Sequence, residues 1–171
     1  MMSKIKSLNE LFEIRLRYAY DCERKLVDKG LPAMIDAANS PELRSALQHH
    51  LQETQKHVTR LENVFSIAGA KANTKDNDVI DELMSAAKDS GGNIESSALR
   101  DTALIANGNE VEHYEMALYG TLVSFARQLG LRNAVGLLEE TLQEEKAADA
   151  KLTQLAESSM NAKAARAQSA D

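Results

Sequence analysis

From Glu42 to Ala68 the chain contains neither proline nor glycine, and apolar residues recur there every three or four positions. Leu43, Leu47, Leu51, Val58, Leu61 and Phe65 can share one face only if the segment is a long helix. Its ends are marked. Ser40-Pro41-Glu42 supplies an N-cap, a proline at the first helical position and a first-turn acid, and Gly69 supplies the stop. The same pattern predicts three further long helices. One opens at a Ser7/Glu10 capping box, carries Leu8, Phe12, Leu16, Ala19, Leu26 and Val27, and is kinked or ended near residues 29–38 by Pro32. Another covers about 97–129 before Gly130, and the last runs from about 132 to 159. Two prolines and eight glycines in 171 residues leave too little punctuation for a many-turned β-sandwich or barrel.

Connection lengths then suggest the topology. The first and second helices are joined by a short turn, as are the third and fourth, so each pair is an antiparallel hairpin. The passage between the hairpins holds a polar "AKANTKDND", a short amphipathic helix in "VIDELMSAAK" and a loop at "DSGGN". It is long enough to travel the length of a bundle. The expected fold is all-α, a ferritin-like four-helix bundle of two antiparallel hairpins joined by a long crossover with a short extra helix. A bundle completed only by dimerisation is the alternative. The bundle is expected over residues 1–159, with 160–171 a polar, Ala-rich tail that frays.

Composition narrows the partners. A net charge of −6 argues against nucleic acid, which needs a basic footprint. No apolar run approaches a membrane span. The single cysteine, Cys22, excludes a disulfide framework and fits a reducing cytoplasm.

Each helix breaks its own apolar stripe with acid. The fourth reads Leu138, Leu142, Glu145, Asp149, Leu152, Ala156, and the third Gly108, Glu112, Glu115, Tyr119, Leu122, Ala126. The second reads Leu43, Ala46, His50, Glu53, His57, Leu61, Val64, and the first Phe12, Leu16, Tyr20, Glu23, Val27. Spacings repeat as well: a shift of 92 residues lays Glu23, Glu53 and His57 on Glu115, Glu145 and Asp149. The four glutamates lie at matched depths, roughly 20–25 Å from their hairpin turns at about 1.5 Å per residue. An unpaired buried carboxylate costs several kcal/mol, so such a group needs shared protons or cations. Lys and Arg are nearly absent from the stripes. Oxygen ligands with one or two imidazoles suit a pair of iron or manganese ions, and the lack of thiolates disfavours zinc or iron–sulfur.

The segments "YAYDCERKL", "HLQETQKHVTRLENVF", "EVEHYEMALYGTL" and "LEETLQEEKAADAKL" resemble those of the YciE/YciF ferritin-like bacterial stress proteins, over about residues 7–157. The resemblance implies a dinuclear metal centre related to that of the rubrerythrins, in a homodimer. It makes Glu23 and Glu115 the single glutamates of the first and third helices, and Glu53 and Glu145 those of the second and fourth. The wider superfamily pairs the latter two with a histidine three residues on. Here Lys56 and Ala148 stand at that spacing, and His57 and Asp149 follow at four, on the same face. His57 and Asp149 are therefore candidate replacements, and Glu112 an additional ligand.

Beside these, His50 reads as supporting or core, His49 and His113 as solvated, and Tyr20 and Tyr119 as core or as donors to ligand carboxylates. Cys22 carries little weight, and "EEK" around Glu145 reads as a solvated face. The functional expectation is a di-iron (or Mn/Fe) carboxylate protein that binds iron and reacts with oxygen or peroxide under stress. The alternative is a structural or binding protein that uses metal for stability only, or not at all.

Overall fold

A computed structural model describes residues 4–167, apart from the side chains of residues 90–92, and all its regular structure is helical. Helix α1 (Leu8–Lys25) is followed by a π-helical turn (Leu26–Gly30) and α2 (Leu31–Ala37). Next come α3 (Pro41–Ile67), α4 (Asp78–Gly92), α5 (Ser97–Gln128), α6 (Arg132–Leu155), a second π-helical turn (Ala156–Met160) and α7 (Asn161–Ala167). The caps are those the residues dictate. Ser7 Oγ accepts from Glu10 N–H at 3.1 Å, Ser40 Oγ from Leu43 N–H at 3.3 Å, and Gly69 and Gly130 turn the chain with positive φ.

Helices α1, α3, α6 and α5 form a ring in which each packs on the next. The crossover, Ala68–Ser96, climbs from one end of the bundle to the other. Near its start, Ala70 and Ala72 pack against the apolar cluster that holds Ala126 and Ala134, either side of the α5–α6 turn. At its far end, α5 begins beside the α2–α3 turn, where Asp101 accepts from Asn39 N–H at 2.7 Å and Ser40 N–H at 2.8 Å. Ring neighbours are therefore antiparallel, the ferritin-like arrangement. Buried Asn77 pins the crossover midway: its N–H donates to Asp21 (3.1 Å) and its amide to the Tyr18 carbonyl (3.0 Å).

Two boundaries differ from expectation. The "DSGGN" loop is mostly helix, since α4 runs to Gly92. The polar tail expected from residue 160 starts later, because the chain stays helical to Ala167 and buries Met160 and Ala164 against α5. Residues 168–171, with 1–3, lie outside the described residues. No helix among those described is long and apolar enough to cross a membrane.

Candidate metal centre

The core is two apolar clusters with a polar layer between them. One gathers Phe12, Leu16, Leu61, Val64, Phe65, Leu122 and Leu138; the other holds Leu26, Leu31, Leu43, Leu47, Ile80 and Leu152. Buried positions on the four long helices alternate by four and three, as in Leu43, Leu47, His50, Thr54, His57, Leu61 and Val64 of α3. This is the packing of a supercoiled bundle. At mid-height the inward positions are Glu23 of α1, His50 and His57 of α3, Glu112 and Glu115 of α5, and Glu145 of α6, all buried.

Their ligand atoms form two groups, each with all its atoms within 4.8 Å of one another. One is His50, Glu112, Glu115 and Glu145; the other is Glu23, His57 and Glu145. Glu145 belongs to both. His57 Nδ1 lies 3.4 Å from Glu23 Oε1 and 3.1 Å from Glu145 Oε1, and His50 Nε2 lies 3.1 Å from Glu112 Oε1.

Around this layer stand groups that hold its members in place. The His57 Nε2–H donates to Glu144 Oε2 at 2.8 Å, which leaves Nδ1 facing the acids. Glu144 is in turn clamped by Arg60, which also reaches Glu140 at 2.6 Å. The Tyr119 hydroxyl donates to Glu23, and the Cys22 thiol lies 3.6 Å from Glu115 Oε1.

Electrostatics show what is missing. Burial, reinforced by the charges of Glu145, Glu23 and Glu112, pushes Glu115 well above the usual carboxylate range. Burial raises Glu145 to about 8, despite the opposing pull of His57. Burial alone would lower His57, but the charges of Glu23 and Glu145 hold it at about 10. Glu23 Oε2, Glu112 Oε2, Glu115 Oε2 and both Glu145 oxygens are buried with no hydrogen bond, as are Nδ1 of His50 and of His57. Buried polar atoms are seldom left so, and among the described residues the ion pairs of these acids are with histidines alone. Once stripped of protons, the four carboxylates and two neutral imidazoles would carry a charge that two divalent cations cancel. The oxygen-rich donor set with two imidazoles suits iron or manganese. The residues fit such ions.

Of the residues singled out from the sequence, Glu23, His57, Glu112, Glu115 and Glu145 are brought together. Glu53 and Asp149 are not in either group. Their side chains are each 21% exposed, against 1% for Glu23 and Glu145, and they face His49 (3.4 Å) and His113 (3.3 Å) respectively. Thr54 takes the buried position beside Glu53, and Glu53 and Asp149 flank the layer. His50 enters the layer instead of supporting it. Glu144, read as solvated, is bonded to His57, and Cys22 abuts Glu115. Tyr119 donates to a layer carboxylate, whereas Tyr20 donates to Glu62 at 2.8 Å, away from it. A groove of about 750 Å³ between α3 and α6, lined in part by Glu53, reaches the layer at His50 and Glu112.

Comparisons with known proteins agree with this architecture. A family model described as "Domain of unknown function (DUF892)" matches residues 7–165. Protein YciF of Escherichia coli (strain K12) is 38% identical over 161 residues, 94% of this chain and 96% of that protein. The crystal structure of the E. coli stress protein YciF superposes with a TM-score of 0.86 at 36% identity, covering 92% of this chain and 99% of that one. YcfI from Rhodopseudomonas palustris, described as a proposed structural protein, gives 0.87 at 38% identity, covering 90% and 97%. A Xanthomonas campestris protein, at 22% identity and a TM-score of 0.72 over 95% and 99%, shares the fold.

Proposed function

The chain belongs to the DUF892 family and is a relative of the bacterial stress protein YciF, and from that premise we propose that it binds two iron ions in its buried layer and uses them in a stress response. The observation that carries this reading is the set of buried carboxylate oxygens with no hydrogen-bond partner, arranged as two groups that share Glu145.

In this reading His50, Glu112, Glu115 and Glu145 would hold one ion, and Glu23, His57 and Glu145 the other. Ferrous iron bound there would supply electrons for the reduction of oxygen or peroxide; manganese is the alternative metal. The protein's own part is positional. Glu144 fixes the tautomer and direction of His57, and the Tyr119 hydroxyl steadies Glu23. The apolar clusters above and below keep bulk water out, and the α3–α6 groove admits small molecules on the His50 side. A homodimer is part of the same proposal and is checked by sedimentation.

Metal analysis of protein purified without chelator, followed by anaerobic Fe(II) titration and exposure to oxygen, tests the reading. Two ions per chain and oxygen uptake that scales with bound iron are expected. Retained iron without oxygen uptake would leave the metal a stabilising role. If metal-free and iron-supplemented protein melt at the same temperature and no ion is retained, the layer is not a metal site.

A further inference from the structure

Glu53 and His49 stand where the α3–α6 groove meets solvent, outside the buried layer. His49 is 70% exposed, and its Nδ1 lies 3.4 Å from Glu53 Oε2. The same carboxylate oxygen is 3.8 Å from Nδ1 of His50. His50 forms the wall between groove and layer. Its side chain is only 8% exposed, and its Nδ1 has no hydrogen bond and faces Glu53. Its other nitrogen, Nε2, faces Glu112 on the inner side at 3.1 Å. One imidazole thus faces both compartments, and its lone pair serves the groove or the layer according to which nitrogen carries the proton. Among groove-lining residues, three carboxylates (Glu42, Glu53 and Glu112) are set against the single ammonium of Lys151.

Resting on the metal-binding reading above, we propose that Glu53, paired first with His49 and then with His50 Nδ1, forms a separate capture site for a divalent first-row cation at the groove mouth, which loads the buried layer past His50. Imidazole and carboxylate together suit such ions. A carboxylate that is 21% exposed keeps part of its hydration and releases an ion more readily than a buried one, as a transit site requires. The inner acids, drier and closer together, hold the ion once it has passed. This also gives Glu53 a role that its position outside both buried groups leaves open.

Loading is measured by mixing metal-free full-length protein with Co(II) and following the visible absorption of the bound ion, with stoichiometry at equilibrium read by calorimetry. Wild type is expected to take up two ions. His49→Ala and Glu53→Gln are expected to take up the same two, but with association slowed about tenfold, the scale on which local charge alters on-rates. Ala147→Phe, which fills the groove without touching a ligand, is expected to slow loading as well. His113→Ala, which does not line the groove, is expected to load at the wild-type rate. Variants of Glu53 and His49 that load at the wild-type rate overturn the proposal. So does Glu53→Gln binding one ion fewer at equilibrium, because Glu53 would then be a ligand of the inner layer. Wild type that retains no Co(II) fails the metal-binding reading itself, and this proposal with it.

Discussion

His57 is held from opposite sides: Glu144 takes its outer N–H, while Glu23 and Glu145 face its inner nitrogen. Glu144→Gln keeps the shape but removes the charge that orients the ring. Its metal affinity is expected to fall about 10–100-fold, on the scale of lost supporting partners, in a competitive chelator titration. Glu115 gives a sharper test. Without metal its carboxylate is crowded by three other acids, so Glu115→Gln relieves repulsion and should raise the melting temperature of metal-free protein. The same variant should gain less than wild type when metal is added, because a ligand is gone. Scanning calorimetry with and without metal reads both signs. A variant that melts lower than wild type in both states would mean that Glu115 acts only in packing.

Helix phase explains much of what the sequence did and did not disclose. Caps, turns and the four long helices were legible because each is a local signal: Ser7, Ser40, Gly69 and Gly130 act within a few residues. The acidic layer was legible too, since an acid between leucines stands out. Which of two adjacent residues faces inward was harder. An apolar face is about 100° wide or more, so Glu53 and Asp149 sit on it without reaching the axis. Only the partner helices decide for Thr54 over Glu53 in the inward phase. Partners fixed by tertiary contact, such as Glu144 on His57 or Cys22 on Glu115, carry no local signal at all. The π-helical turns misled in another way. Between Leu26 and Leu31, and again between Leu155 and Met160, buried positions are five apart. A count of three and four loses the stripe there, and the chain from residue 160 reads as a polar tail. It is instead packed, so Met160→Ala should cost about 2–5 kcal/mol in denaturant unfolding, like other large-to-small core changes.

For the whole molecule, the buried layer sets how stability answers to pH and metal. Glu145 raised to about 8 and His57 raised to about 10 both mean that the metal-free folded state binds more protons than the unfolded chain. Stability then falls as pH rises, since the folded state must give up those protons. The carboxyl contribution is lost from about the ordinary 4.5 up to about 8, and the imidazole contribution from about 6.5 up to about 10. Metal-free protein is therefore expected to melt lower at pH 9 than at pH 6. Metal, which replaces the protons, should flatten or reverse that slope, and melting curves across the range measure it. Half of the layer (Glu23, His50 and His57) comes from the chain before the crossover, and half (Glu112, Glu115 and Glu145) from the chain after it. Neither hairpin by itself can assemble the full set, so a cation seated there would act as a clasp between two otherwise separable pieces. Cleaved within Ala70–Asp76, the polypeptide should rejoin by complementation, more tightly when the clasp is supplied.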